Sequence, residues 1–251
     1  MDSWSKRRQL AYAAALTGLL LAAGILIWLL FVRKTPTCSD GVQNGGEQGI
    51  DCGGGCPNLC QNSFSSPTVA WTRFEEVAPG LYNVGAYIIN PNTVGQADKT
   101  PYHIDLYDGK GMLINETDGT VTLPPHRNTL AFQGAVPVGQ SLPERALFEF
   151  TAEPVWQTRS DPLSALSIGA KAYSENGSGS SLSVEVKNSG LSAIDNIGLS
   201  AVLYDGQGQV VGFSRTVLDE IPPRGSVSAP FTWPVSRQGS VVSIEVLPVA
   251  E

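Results

Sequence analysis

Four cysteines, Cys38, Cys52, Cys56 and Cys60, fall inside 23 residues of a 251-residue chain, and Asp40, Asn44, Glu47 and Asp51 stand between the first two. Two chemistries fit such a string. In an oxidising compartment the sulfurs close two disulfides, which a Gly-rich, core-poor segment needs in order to hold any shape. In the cytoplasm four thiolates would hold zinc, but zinc knuckles favour tight Cys-x-x-Cys pairs, whereas thirteen, three and three residues intervene here. Disulfides are the preferred reading, and four cysteines leave three pairings open. Asp40, Asn44, Glu47 and Asp51 are hard oxygen donors that could wrap a calcium ion with help from backbone carbonyls. The same residue types also form side-chain turns in any Gly-rich loop.

Catalytic chemistry has little to work with elsewhere. The chain holds two histidines, His103 and His126. Neither sits in a Gly-x-Ser-x-Gly or His-Glu-x-x-His context, so each reads as a surface polar residue. No phosphate-cradling glycine loop ends in Lys-Ser or Lys-Thr. Trp71, Trp156 and Trp233 could stack against sugars, but one or two tryptophans per sandwich are ordinary core anchors. The expectation is a protein that is not an enzyme. A carboxylate-based extracytoplasmic hydrolase is the alternative, because a glycosidase needs only two acids across a cleft.

The elements that carry these residues follow from composition. Residues 10–32 contain no charge, and as a helix they span roughly 34 Å at 1.5 Å per residue, enough to cross a bilayer. The apolar run continues to Phe31 and meets Arg33 and Lys34 instead of a small-residue cleavage site, which reads as an uncleaved signal anchor. Lys6, Arg7 and Arg8 precede the span, so residues 1–9 are expected to be a cytoplasmic tail. Beyond Lys34 there remain 11 basic against 22 acidic residues, a formal charge of −11. Such a bulk is repelled by anionic membrane surfaces and excludes nucleic acid as a partner.

A repeat organises the remainder. With Tyr107 placed on Tyr204, Leu106-Tyr107-Asp108-Gly-Lys-Gly lies over Leu203-Tyr204-Asp205-Gly-Gln-Gly, and Leu123-Pro-Pro-His-Arg matches Ile221-Pro-Pro-Arg. A period near 97 residues is the size of a domain. Leu182, Val184 and Val186 alternate with polar residues, as do Tyr102, Ile104 and Leu106, and Val242, Ile244 and Val246. That is the pattern of half-buried strands. Asp108-Gly109 and Asp205-Gly206 read as hairpin turns that tolerate positive φ. The fold class is therefore all-β: two immunoglobulin-like antiparallel β-sandwiches after one N-terminal transmembrane helix. The expected divisions are tail 1–9, span 10–32, Cys-rich neck and linker 33–67, and sandwiches 68–160 and 161–251.

Two resemblances add to this. The string through Cys38, Asp40, Gly41, Asn44, Glu47, Asp51, Cys52, Gly53, Gly54 and Cys56 resembles a short module of bacterial surface proteins, found beside membrane anchors. That implies an outward-facing location. The Leu-Tyr-Asp-Gly-x-Gly hairpin with its later proline turn resembles the FxLYD family of bacterial extracytoplasmic β-sandwich domains, although Ile104 and Ala201 hold the aromatic position of that name. Together these imply a single-pass cell-membrane protein whose C-terminal domains lie outside the cytoplasm and bind a protein or glycan, or build the envelope. An accessory subunit of a secretion or pilus assembly is a further alternative. The membrane itself is the first partner, through residues 10–32.

Overall fold

The computed structural model describes residues 2–28, 36–159, 161–177, 179–234 and 241–250. The end of the expected span and its flanking Arg33 and Lys34 lie outside the described residues. The chain forms two compact units, Met1–Cys56 and Pro57–Glu251.

In the first unit, helix α1 runs Asp2–Ile27. Its stretch from Lys6 to Ile27 is long and apolar enough to cross a membrane. From Leu10 on it carries no charge on any side, and every described side chain along it is exposed, including Leu19, Leu20 and Leu21. A helix with no polar face has no reason to float in water, whereas lipid satisfies it on every side. Thr17, the one aliphatic hydroxyl in the run, donates back to the carbonyl of Ala13 at 2.9 Å.

The second unit is all-β and antiparallel. The first sandwich comprises β1 (Thr68–Ala78), β2 (Leu81–Ile89), β3 (Gln96–Asp108), β4 (Leu113–Leu123), β5 (Thr129–Pro137), β6 (Pro143–Phe150) and the short β7 (Trp156–Gln157). The second comprises β8 (Leu166–Asn176), β9 (Gly179–Asn188), β10 (Ile194–Tyr204), β11 (Val210–Ile221), β12 (Ser226–Trp233) and β13 (Ser243–Ala250). Strand order is β1-β2-β5 facing β4-β3-β6 in the first, with β7 added to β3; it is β8-β9-β12 facing β11-β10-β13 in the second. Taken in chain order, the two orders are the same. Each sandwich has its own core, one built around Val84, Ile88, Ile104, Leu106, Leu123 and Trp156, the other around Leu182, Val184, Ile197, Leu199, Phe231 and Trp233.

Alternation explains most strands. In β9, Leu182, Val184 and Val186 are buried while Ser181, Ser183 and Lys187 are exposed. Val242 departs from its expected place: it precedes β13 and is exposed, and Ile244 and Val246 carry the inward face. The hairpin turns also differ in detail. The positive φ falls on the second glycine of each, Gly111 at 76° and Gly208 at 74°, not on Gly109 or Gly206. This is a three-residue loop ending in a left-handed residue, and the ladder beside it carries a bulge at the tyrosine in both copies.

The segment after Cys56 is not a free linker. Leu59 donates to the carbonyl of Trp156 at 2.7 Å, Thr158 donates to that of Pro57 at 2.9 Å, and Phe64 stacks on the Trp156 ring at 5.0 Å. Leu59 and Phe64 pack on the first core. The neck therefore ends near Pro57, not at residue 67, because these two apolar side chains cover the end of that core.

Candidate functional site

The neck is built on carboxylates that serve the backbone. Asp51 accepts from the amides of Asp40 (2.9 Å) and Gly41 (2.9 and 3.2 Å). Asp40 accepts from the amide of Val42 at 3.0 Å and from the Asn44 side chain at 3.1 Å. Glu47 Oε2 accepts from the amides of Asn44 and Asp51, each at 3.2 Å. Each of the three carboxylates expected to face calcium thus has a turn-forming task, whereas Asn44 Oδ1 is buried without a hydrogen-bond partner. Gly54 has φ 61°, and a side chain there would collide with the carbonyl of Gly46. Cys38 and Cys56 form a disulfide, and Cys52 and Cys60 are disulfide-bonded as well. No cysteine is free among the described residues, in line with the disulfide reading.

The repeat residues Leu106, Tyr107 and Asp108, and Leu203, Tyr204 and Asp205, build two like hairpins. Asp108 Oδ1 accepts from the amides of Lys110 and Met112, both at 2.9 Å; Asp205 Oδ1 accepts from Gln207 and Gln209 at 2.8 and 2.9 Å. Leu106 and Leu203 are core residues. The tyrosines diverge. Tyr107 donates to Asp105 of its own strand at 2.9 Å and lies under the Arg145 guanidinium, whereas Tyr204 joins the contact between the sandwiches.

A second repeated device escaped the motif reading. Buried Asn90 donates to the carbonyl of Pro124 at 2.7 Å and accepts from the amide of Asn92. Buried Asn188 donates to the carbonyls of Ser192, Ile221 and Pro222 and accepts from the amide of Gly190. The loop residues His126 and Arg224 both have positive φ, 58° and 51°, and donate to the carbonyls of Asn92 and Gly190. In each sandwich the asparagine clamps the Pro-Pro loop. An asparagine at the end of an apolar strand, a fixed distance before each Pro-Pro pair, was the available signal.

The sandwiches meet along a third apolar cluster that alternation alone does not announce. Tyr87 of β2, Leu130 of β5, Val202 of β10, Phe213 of β11 and Leu247 of β13 are buried together, with Trp71 and Phe132 packed against them. β2 and β10 accordingly bury both faces. Gly85 is the close-approach point: a Cβ there would lie 2.9 Å from the Phe213 ring. Trp71 stacks on Tyr87 at 5.6 Å, so it belongs to this contact, while Trp156 and Trp233 are core anchors at 1% and 2% exposure. Glu245 sits in the seam, accepting from Tyr87 and from Tyr204, each at 2.9 Å. Burial first, then Glu245, pushes the Tyr87 hydroxyl up to about 12 against the opposing bond from Asn128. The same two causes raise Tyr204. At the other end of the contact Arg127 grips Asp161 with both nitrogens, at 2.7 and 3.1 Å.

Beside the seam lies an open groove of about 410 Å³, walled by 72–75 of β1, 144–146 of β6 and 210–213 of β11. Arg73, Glu75, Glu144 and Arg145 line it. Each of these strands pairs on one side only. Three strand edges therefore border one polar groove. His103 lies elsewhere, on the outer face of the β4-β3-β6 sheet, 3.5 Å from Glu149, and His126 is in the Pro-Pro loop.

No protein-family model matches the chain, and no curated protein matches it. Among solved structures, one described as "putative beta-galactosidase" from Bacteroides fragilis aligns at 14% identity over 68% of this chain and 33% of that one, with a TM-score of 0.21. The chain spans about a third of that protein's length, and a likeness of this size carries no argument.

Proposed function

We propose that this is a single-pass membrane protein that displays two duplicated β-sandwiches outside the cytoplasm as a non-catalytic binding or envelope-building module. The observation that carries the reading is α1: from Leu10 to Ile27 it carries no charge on any side, and its side chains there are all exposed. The oxidised cysteines support the outward side, since disulfides persist in oxidising compartments. Matched hairpins and asparagine clamps support duplication of an FxLYD-like sandwich. The seam supports a binding role: a cluster of five buried residues and a bidentate ion pair fix one sandwich on the other, as a display scaffold requires.

Thiol labelling and protease shaving of intact cells test this. Labelling only after reduction, with loss of the β unit to external protease, is the expected result. Free thiols and a protected β unit in intact cells would refute it.

A further inference from the structure

We infer that the outer face of the β4-β3-β6 sheet is a site for one divalent first-row transition ion, held by His103, Glu116 and Asp118 with Glu149 alongside. The ligand atoms of His103, Glu116 and Asp118 lie within 4.8 Å of one another. Register puts them there: His103 of β3 pairs with Asp118 of β4 on one side and with Glu149 of β6 on the other, and Glu116 is two residues from Asp118 on the same face. Donors on a tetrahedral zinc ion, at 2.0–2.2 Å from the metal, lie about 3.4 Å apart. Side-chain rotations of exposed Glu116 and Asp118 close that difference without moving a strand.

Two features set this face apart from an ordinary acidic surface. The imidazole supplies the nitrogen that selects zinc and its neighbours over calcium or magnesium. Independently, Asp105 and Glu116 stand directly opposite each other across β3 and β4, a like-charge pair that destabilises a ladder. Asp105 gives one oxygen to Tyr107, while its Oδ1 is buried with no hydrogen-bond partner. Three carboxylates, Glu116, Asp118 and Glu149, surround one imidazole, Asp105 faces Glu116 beside them, and Arg145 lies over the Tyr107 ring. A dipositive ion at His103 offsets this repulsion, and the paired strands hold the ligands in place for it.

The test is a calorimetric titration of the tag-free full chain in detergent with zinc chloride, repeated for H103Q, for the E116Q/D118N double variant and for H126Q. One zinc per chain is expected for the wild type and H126Q. Affinity should fall at least about tenfold in H103Q and in the double variant, since losing a direct ligand costs no less than losing a supporting residue. A second measurement needs no variant: zinc should protect His103, and not His126, from diethylpyrocarbonate. A wild type that binds no zinc, an H103Q chain that binds like the wild type, or equal modification of the two histidines with and without zinc would each overturn the site.

Discussion

Tyr87 and Glu245, 158 residues apart in the chain, are joined by a 2.9 Å hydrogen bond in which the phenol donates to Oε1. Tyr204 donates to the other oxygen of the same carboxylate at the same distance. One glutamate of the last strand therefore holds a tyrosine from each sandwich. A hydrogen bond to a charged partner contributes about 1.5–3 kcal/mol when well shielded, and less at a partly exposed residue such as Glu245. Replacing Glu245 by Ala should destabilise the β unit by about 2 kcal/mol in urea unfolding, and Glu245→Gln by less, because the amide oxygen keeps one acceptor.

The same pair sets a dependence on alkaline pH. Both tyrosines are held protonated in the folded state, Tyr87 up to about 12 and Tyr204 also raised above the ordinary 10. The unfolded chain releases these protons first. Their contribution is thus fully present below pH 10 and is lost as pH climbs through the folded values. Thermal unfolding followed from pH 9 to 12 should show the midpoint falling, with a shallower slope in the Y87F/Y204F double variant.

Asn188 is 2% exposed and satisfies three carbonyls. Asn188→Ala removes the side-chain donor from the buried carbonyl of Ile221 and from that of Ser192, while Pro222 keeps the amide of Gly225, and should cost about 1–3 kcal/mol. Asn90→Ala, which removes one carbonyl partner, should cost less. Chemical denaturation of the two single variants checks the order.

Gly85→Ala would push a methyl group against the Phe213 ring across the seam. Overpacking of this kind costs about 1–3 kcal/mol, and Phe213→Leu in the same chain should recover part of it. Melting temperatures of the single and double variants measure the coupling.

In the neck, C38S/C56S removes a disulfide between residues 18 apart, a constraint of about 3 kcal/mol on that loop. The expected outcome is faster protease cleavage between residues 38 and 56 with the β unit's melting unchanged, since every strand lies after Thr68. Calcium or a chelator should leave the cleavage rate of the wild type unaltered, because Asp40, Asp51 and Oε2 of Glu47 already serve backbone amides.

What was legible in the chain was whatever depends on neighbours a few residues away. The apolar run of α1 as far as it is described, the alternation of Leu182, Val184 and Val186, and the two Asp-Gly-x-Gly hairpins are local patterns, and each forms, although the left-handed residue of each hairpin is its second glycine. Tertiary structure alone decided that Tyr107 and Tyr204, alike in sequence, face different surroundings, and that Gly85 meets Phe213. It also gathered His103, Glu116 and Asp118 onto one face. The physical reason is that strand periodicity assigns a side chain to one of two faces, while what covers that face is set by contacts between residues tens to hundreds of positions apart.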